Sequence, residues 1–320
     1  MNPLASVRET CEKVYSQCSS VLIDPAAIEK HAQKIGEHSV GDFYKQVEWD
    51  AQGWHYCGDV ATMGPLTVQY IFVMDALNFC FWPTPGFEYD TLAIGLKKVL
   101  EEDATALNAD RLANMTEECF AMWFPTMPSR AERVQRLREV GTVLMAEFSG
   151  WAANLVKAAD HSAVQLVKLV LMHFPGFRDT CVYKGALVHF YKRAQILVGD
   201  IWAAYGRPSD PTHPYQFHDM SQLTMFADYR VPQILRHMGV LVYSEDLARK
   251  IDAKKVIPFG SEEETELRAA TIVAVERLQQ ALQKGGRDIL VIEVDWLLWQ
   301  WGEAIKDDIL PHHRTLTIYY

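Results

Sequence analysis

The sequence predicts a mainly α-helical protein with little strand, on two observations. Over most of the chain, apolar residues recur every three or four positions, which is the spacing of one helix face. Alternating apolar and polar runs are scarce, and no Asn-Gly or Asp-Gly pair is present to close a tight hairpin. We therefore expect packed helices to supply most of the core.

The most hydrophobic stretch, residues 66–82, predicts a buried element. It is short for a membrane span. Three polar residues also interrupt it: Gln69, Asp75 and Asn78. We therefore expect this stretch inside the protein, and we expect no contact with a membrane.

Three later helices are indicated by signals at their ends. Ser129 and Ser261 are each followed three residues later by a glutamate, which is the capping-box pattern of a helix start. Ser162 is placed to begin a helix that stops at residues 174–176, where Phe-Pro-Gly breaks the pattern. The helix that follows Ser261 ends at a Gly-Gly pair.

The remaining segments of the second half are a helix, a loop and two short extended pieces. Residues 185–205 place apolar side chains on one helix face. Residues 207–219 contain three prolines and two histidines, which is typical of a surface loop that covers a site. Residues 241–243 and 316–320 are the two candidates for short strands.

Length and charge narrow the class of protein. The 320 residues are 49% apolar and 22% charged, which is typical of a folded globular chain. They suffice for one large domain or two packed lobes, which we place at residues 1–125 and 126–320, forming one compact unit. The 31 basic and 41 acidic residues give a net charge of −10, which argues against long nucleic acid as a partner. A small molecule, for example a cationic one, or another protein fits the charge better.

Several common sites lack support in the sequence. The six cysteines are scattered without a Cys-x-x-Cys pair, so we expect reduced thiols, no zinc site and a cytoplasmic location. The histidines lack the spacing of metal ligands. No dinucleotide, P-loop or serine-hydrolase motif occurs. We therefore expect no metal and no cofactor.

One candidate site is a stripe on a predicted helix near the C-terminus. Asp295, Trp299 and Glu303 are spaced by four residues, which places a carboxylate, a large aromatic ring and a second carboxylate on one side. Such a wall suits a flat heterocycle with a positive substituent. A core tryptophan flanked by solvated acids is an equally good interpretation of the pattern.

Three further candidates lie elsewhere. Asp228 stands just before a break at Pro232, where its carboxylate faces a cavity, pairs with a neighbouring arginine or caps the next helix. Lys192 and Arg193 are adjacent and suit a phosphate, although a solvated face that pairs with Asp200 is an alternative. His55, among aromatic residues, is either a hydrogen-bond donor to a ligand or a structural residue.

Five segments together resemble the queuosine salvage protein family, whose members are queuosine 5′-phosphate N-glycosidases. The resemblance runs from about Trp54 to the C-terminus. The segments that carry it are LNFCFW at 77–82, FPGFRD at 174–179, FYKRAQIL at 190–197, LTMFADYRVP at 223–232 and the closing HRT…YY at 313–320.

The resemblance implies a helical fold like that of helix-hairpin-helix DNA glycosylases, with Phe-Pro-Gly-Phe as the hairpin-like turn. It also implies hydrolysis of queuosine 5′-monophosphate to queuine and ribose 5-phosphate. The base-binding residues of the family fall on these positions of this chain: His55, Phe226, Asp228, Asp295, Trp299 and Glu303. The turn, with Lys192 or Arg193, would seat the phosphate. The family pattern has an aspartate at the position of Glu303, which leaves the catalytic role open between Glu303 and Asp228.

These residue types suit the chemistry that the resemblance implies. Queuine is a 7-deazaguanine, so the ring nitrogen that a purine glycosylase protonates is replaced by carbon. A carboxylate near the anomeric carbon would then stabilise positive charge on the sugar or orient water. A second carboxylate would accept hydrogen bonds from the cationic amine or the diol of the base.

Two other functions remain open at this point. One is a glycosylase of the helix-hairpin-helix type that acts on a base within DNA or RNA, against which the net charge of −10 counts. The other is a queuine-binding protein without turnover. Product analysis after incubation with the 5′-monophosphate distinguishes an enzyme from a binding protein.

Overall fold

A computed structural model describes residues 2–320 and is mainly helical, as predicted. Its α-helices, in chain order, are α1 (Pro3–Tyr15), α2 (Pro25–Glu37), α3 (Val40–Gln46), α4 (Pro65–Leu77), α5 (Tyr89–Glu102), α6 (Ala109–Ala113), α7 (Glu117–Trp123), α8 (Arg130–Glu147), α9 (Ala152–Ala158), α10 (Ala163–His173), α11 (Lys192–Ala204), α12 (Arg230–His237), α13 (Glu245–Asp252), α14 (Glu262–Lys284) and α15 (Val291–Ile305). Its strands are β1 (Val21–Ile23), β2 (Thr180–Tyr183), β3 (Ala186–His189) and β4 (Leu241–Tyr243).

The predicted helix starts lie where the sequence places them, but not all are capped in the expected way. Ser162 accepts a hydrogen bond from the backbone N–H of Gln165 at 3.1 Å, and Ser261 accepts one from the backbone N–H of Glu264 at 3.4 Å at the start of α14. Ser129 precedes α8 with a left-handed backbone (φ +51°) and makes no cap hydrogen bond. The pattern therefore located α8 correctly but gave the wrong cap chemistry.

The predicted helix over residues 185–205 is wrong in its first turns. Residues Ala186–His189 form β3, which pairs with β2, and α11 begins only at Lys192. The chain reverses at Lys184 and Gly185, whose φ angles are +47° and +80°. Two positive φ angles define the turn that suits a tight hairpin, and here a Lys-Gly pair supplies it.

Of the two predicted extended segments, one is confirmed. Residues Leu241–Tyr243 form β4, which pairs antiparallel with β1. Residues 316–320 do not form a strand; the nearby backbone makes only an isolated bridge between Arg314 and Val256. The last residue, Tyr320, instead turns into the core, where its side chain is 2% exposed.

The helices enclose two apolar cores, and a pocket lies where the cores meet. The first core is built around α4, whose residues from Thr67 to Leu77 are all buried, so the prediction for this stretch is confirmed. The second core is built around α14 and receives α1, β1, α12 and α15. Trp296 packs against both cores. Among residues 2–320, no helix is long and apolar enough to cross a membrane.

Candidate functional site

The pocket between the two cores, called here the central pocket, encloses about 970 Å³ of non-protein space including its open mouth. Its walls come from the C-terminal end of α4, the N-terminal end of α5, one face of α11 and the start of α12. The stripe of α15 and the segment before α4 complete them. The lining residues used below are Trp49, His55, Asn78, Glu88, Tyr89, Lys192, Ile196, Asp200, Phe226, Asp228, Arg230, Asp295, Trp296, Trp299 and Glu303.

The predicted stripe on α15 faces this pocket along its length. Asp295, Trp299 and Glu303 all line the pocket, because helical residues four apart share a side. Asp295 is 4% exposed and accepts a hydrogen bond from the backbone N–H of Phe226 at 3.2 Å. Burial and the nearby Asp228 raise the pKa of Asp295 well above its usual range. The stripe is therefore part of the pocket wall and not a solvated face.

Asp228 both caps a helix and faces the pocket. Its Oδ1 accepts hydrogen bonds from the backbone N–H groups of Arg230 and Val231 at 3.0 Å each, at the start of α12. Burial raises the pKa of Asp228, and the positive charge of Lys192 opposes that shift. The cap and the cavity interpretation are thus both correct, since one oxygen caps and the side chain still lines the pocket.

Glu303 belongs to a network of four charged side chains at one side of the pocket. It pairs with Arg230 at 2.5 Å and with Lys306 at 2.9 Å. The same two cations also approach Glu88, at 3.6 and 3.4 Å. Two carboxylates are therefore balanced by two cations here, and Glu303 is more firmly held than Asp228 or Asp295.

The adjacent basic residues at the start of α11 point in different directions. Lys192 lines the pocket, with its Nζ 3.3 Å from the carbonyl of Asn78, and burial lowers its pKa. Arg193 is 1% exposed and lies outside the pocket lining. Its guanidinium donates to the carbonyls of Ala76 and Gly176. The structure therefore does not bring Arg193 to the pocket, because the end of α4 and the Phe-Pro-Gly-Phe turn occupy its donors.

The Phe-Pro-Gly-Phe turn does not offer the expected anion seat either. Gly176 is buried, and its N–H donates to a carboxylate oxygen of Glu139 at 2.8 Å. That glutamate also pairs with Arg136 at 2.7 Å. The N–H that would face a phosphate is already satisfied within the protein, so the sequence-based expectation for this turn is wrong.

His55 is a buried member of the pocket wall with protein partners on both ring nitrogens. Its Nδ1 lies 3.1 Å from Asp50, and its Nε2 lies 2.9 Å from the hydroxyl of Tyr89. The ring stacks on Trp49 with centroids 4.0 Å apart. Burial lowers the pKa of His55, which favours the neutral ring. Both ring nitrogens of His55 therefore have partners within the protein, which agrees with the structural alternative.

Asp200 is a pocket residue that the sequence did not predict. Asp200 lies on the same face of α11 as Lys192 and Ile196, and all three line the pocket. The spacing of four residues from Lys192 to Ile196 to Asp200 carried this information. The sequence analysis considered Asp200 only as a partner for the basic pair.

A buried arginine on α14 supports the site from behind. Arg268 pairs with both oxygens of Asp179 at 2.9 and 2.6 Å, and it donates to the carbonyl of Ala227. Asp179 in turn accepts from the backbone N–H of Lys192 at 3.2 Å. One ion pair thus fixes both the start of α11 and the segment that carries Asp228.

One expectation about the surroundings of the pocket has a clear outcome. Residues 207–219 form an irregular loop as predicted, but none of them lines the central pocket of the described chain. Within residues 2–320, no group of three or more His, Cys, Asp or Glu side chains is arranged to hold a metal ion.

The fold and the pocket define a helical protein with a buried site of carboxylates and aromatic rings, suited to a flat, partly cationic small molecule. Comparison with known families then identifies the group: the chain belongs to the queuosine salvage protein family, whose sequence pattern matches residues 59–320. This confirms the resemblance and nearly its extent.

Similar proteins are found in distant organisms. A protein of Dictyostelium discoideum is 45% identical over the full length of both chains. One of Sphaerobacter thermophilus is 39% identical and covers 98% of this chain and 97% of its own, and one of Mus musculus is 30% identical over all of both chains. Each bears the name queuosine 5′-phosphate N-glycosylase/hydrolase.

Proposed function

We propose that this protein hydrolyses the N-glycosidic bond of queuosine 5′-phosphate and releases queuine for salvage. The observation that carries the proposal is the central pocket, in which half-buried Asp228 and buried Asp295 stand beside the aromatic rings of Phe226 and Trp299. The full-length similarity to proteins named for this activity supports the same substrate.

The proposed reaction breaks the bond between C1′ of the ribose and the ring nitrogen of the base. The electron pair leaves with the base, water supplies the new oxygen on C1′, and its proton ends on the base or solvent. The products are queuine and ribose 5-phosphate. Because the 7-deaza ring lacks one basic nitrogen, more of the catalysis falls on stabilising positive charge at the sugar.

Asp228 is the carboxylate best placed to stabilise that charge. It is half-buried, one of its oxygens is fixed by the start of α12, and Lys192 favours its charged form. Glu303 remains the alternative, although Arg230 and Lys306 already balance its charge. Fixed charge in a site that excludes water is worth more than the same charge in solvent.

The remaining residues of the pocket would hold the base. Phe226 and Trp299 offer stacking faces, worth about 1–3 kcal/mol per base in single-strand complexes. Asp295 would accept from the cationic amine or diol. His55 would contribute through Tyr89, whose hydroxyl it orients at 2.9 Å.

For the phosphate, Lys192 is the one member of the basic pair that lines the pocket. We expect Lys192→Ala to narrow the preference for the 5′-phosphorylated substrate over the nucleoside. Arg193→Ala is the contrasting variant, since it should lower stability and leave the preference unchanged. If neither Lys192→Ala nor Arg193→Ala changes this preference, we would assign phosphate binding to Arg230 and Lys306, the other cations at this side of the pocket.

The decisive experiment is incubation of the protein with queuosine 5′-phosphate, followed by analysis for queuine. We expect release by the wild type and a loss of at least about hundredfold in Asp228→Asn, which is the scale of removing one transition-state contact. Glu303→Gln should reduce turnover less. Asp210→Asn, on the loop outside the pocket lining, is the matched control and should match the wild type.

The same experiment tests the other functions. Binding of queuine without release would indicate a binding protein. Steep salt dependence of binding to an oligonucleotide would instead favour a DNA or RNA glycosylase. The net charge of −10 and the balanced charges at the pocket favour the small substrate. Near wild-type turnover in both carboxylate variants would contradict the assigned roles.

We also propose that the fold is related to that of helix-hairpin-helix DNA glycosylases. The support is the compact connection at Pro175–Phe177, which follows α10 and contacts α11. The intervening hairpin of β2 and β3 is a departure from a simple helix-turn-helix connection. Superposition of α10 and α11 on such an enzyme tests the proposal, and helices that cross at a different angle would contradict it.

A further inference from the structure

Asp200 is a buried carboxylate that faces the central pocket without a complete hydrogen bond from the protein. It is 3% exposed and lines the pocket from α11. Among residues 2–320 the side-chain donor beside it is the indole N–H of Trp49, which falls short of full hydrogen-bond geometry. Its charged neighbours are the acidic Asp75 and Asp295 and the cation Lys192. Buried carboxylates are normally hydrogen-bonded, so we expect a ligand to donate hydrogen bonds to Asp200.

Trp49 is the complementary group beside it. Its indole N–H is buried and has no hydrogen-bond partner in the described chain. It lies close enough to Asp200 to lower that group's pKa, yet it does not complete a hydrogen bond. The ring is held in place by its stack on His55. One wall of the pocket thus places an acceptor and a donor side by side, and neither has a complete hydrogen bond.

Both groups lower the stability of the unliganded protein, and a ligand that hydrogen-bonds to them recovers that free energy. A buried polar group without a partner costs about 1–3 kcal/mol, and more when it is charged. A ligand that satisfies both must offer N–H or O–H donors to the carboxylate and an acceptor to the indole, from adjacent positions on one edge.

The surrounding surface selects a flat ring. Ile196, Phe226 and Trp296 also line the pocket near this wall. Gly199, next to Asp200, lets the rings of Phe226 and Trp296 pack against α11, since a Cβ there would lie 3.0 and 3.3 Å from them. The space in front of Asp200 is therefore bounded by aromatic and aliphatic faces, which suits a planar heterocycle better than a sugar.

We infer that Asp200 and Trp49 form a specificity subsite that recognises the amide and amino edge of a guanine-type base. This inference rests on the proposed function. Such a base carries a ring N–H and an exocyclic amino group side by side, which match the two oxygens of a carboxylate. A ring nitrogen or carbonyl oxygen next to them accepts from the indole. Asp228 and Asp295, which lie around Lys192, would then contact the sugar and the cationic amine of the base.

The test compares queuosine 5′-phosphate with its analogue that lacks the 2-amino group. The wild type should prefer the amino substrate by at least about tenfold in kcat/KM, the value of one hydrogen bond to a charged group. Asp200→Asn should bring the two substrates within about threefold of each other. If Asp200→Asn loses activity equally on both substrates, and so keeps the wild-type ratio, the inference is overturned.

Trp49→Phe is the second variant, because it keeps an aromatic ring on His55 and removes only the N–H. It should weaken both substrates to a similar extent, since both still present the acceptor. This comparison and the wild-type preference do not depend on Asp200→Asn being folded. A wild type without preference for the amino substrate would also overturn the inference.

Binding of the free bases separates this inference from the proposed function. Calorimetry with queuine and its 2-desamino analogue measures recognition without turnover. If the wild type cleaves neither nucleotide but binds queuine at least about tenfold more tightly, the proposed function fails and the subsite stands. Equal binding of the two bases contradicts the subsite even if cleavage occurs.

Discussion

Arg268 shows at the scale of single residues how a buried charge is held behind the site. Its guanidinium lies between the rings of Phe190 and Tyr320, 4.0 and 4.2 Å from their centroids, and pairs with both oxygens of Asp179. Both charged side chains are at most 1% exposed. Removing one partner of such a buried ion pair strongly destabilises the protein, because the charge that remains is buried away from solvent.

We therefore expect Asp179→Asn to lower the free energy of unfolding by about 3–5 kcal/mol, the usual range for a broken buried pair. Urea unfolding followed by tryptophan fluorescence measures it. Asp246→Asn is the matched control, since Asp246 pairs with Arg249 on an exposed surface and should change stability little. Equal effects of the two variants would show that burial is not what makes the inner pair important.

Asp75 gives a prediction for the pH dependence of stability. Burial raises its pKa to about 7 from an ordinary value of 3.8. Between these values the folded protein keeps a proton that the unfolded chain has lost, so this group makes stability fall as pH rises. In Asp75→Asn that contribution is absent. We expect the stability of the variant relative to the wild type to rise from about pH 4 to about pH 7 and to be level outside that window.

The control for Asp75 has a lowered pKa instead. Hydrogen bonds from Thr212 lower the pKa of Asp210. Asp210 therefore stabilises the folded protein above its ordinary pKa, and this stabilisation is lost as pH falls. The free energy of unfolding of Asp210→Asn should differ from the wild type in its pH dependence only on the acid side. Parallel pH curves for Asp75→Asn and the wild type between pH 4 and 7 would contradict the shift.

Residue identity alone could predict part of the site. The α15 stripe and Asp228 were found because helical spacing and a proline break are local signals. Asp200 was missed, although its spacing from Lys192 was visible, because nothing local tells which face of α11 meets a pocket. The separate directions of Lys192 and Arg193 depend on where the end of α4 lies, which is a tertiary fact.

At the scale of elements, the helices were predictable and the hairpin was not. Helix starts at Ser162 and Ser261 follow from side-chain caps that the sequence displays. The hairpin at Lys184 and Gly185 was missed because lysine seldom adopts positive φ, so that a Lys-Gly pair is a weak turn signal. Pairing with β2 then drew Ala186–His189 out of the expected helix.

The packing of α6 on α8 leads to a prediction that opposes helix propensity. Gly141 lies in the middle of α8, where propensity alone would favour alanine by about 1 kcal/mol. A Cβ at this position, however, would collide with the backbone of Ala109 and Ala113 in α6. We expect Gly141→Ala to destabilise the protein by about 1–3 kcal/mol, the usual cost of overpacking, as measured by thermal or urea unfolding.

Gly36→Ala provides the contrast for Gly141→Ala. Gly36 lies near the end of α2, and a Cβ there would meet nothing within 4 Å. We expect this variant to gain up to about 1 kcal/mol from helix propensity. A gain at both glycines would mean that α6 moves away from α8 at little cost.

At the scale of the whole molecule, the net charge of −10 has two parts. A few acids, Asp75, Asp200, Asp228 and Asp295 among them, surround Lys192 beside or within the pocket. Most of the others are at the surface, such as Asp42 and Asp246. Composition predicted an acidic protein with a small-molecule partner, but it carried no information on which acids would be gathered.

The chain order of the two cores leads to a last prediction, which concerns folding as a unit. We propose that residues 1–125 and 126–320 are lobes of one cooperative structure. In support, α1 and α2 pack on α14, and β1 pairs with β4, so that the first part of the chain completes the core of the second. Neither lobe buries its apolar face alone.

We therefore expect guanidinium unfolding of the full chain to give one transition, with the same midpoint by far-ultraviolet circular dichroism and by tryptophan fluorescence. Residues 126–320 expressed alone should lack a cooperative transition, because Val240 and Leu267 lose the cover of α1 and β1. Coexpression with residues 1–125 should restore it. A cooperative transition of the isolated second lobe would instead make it an independent domain, and the pocket would then lie between two units able to move against each other.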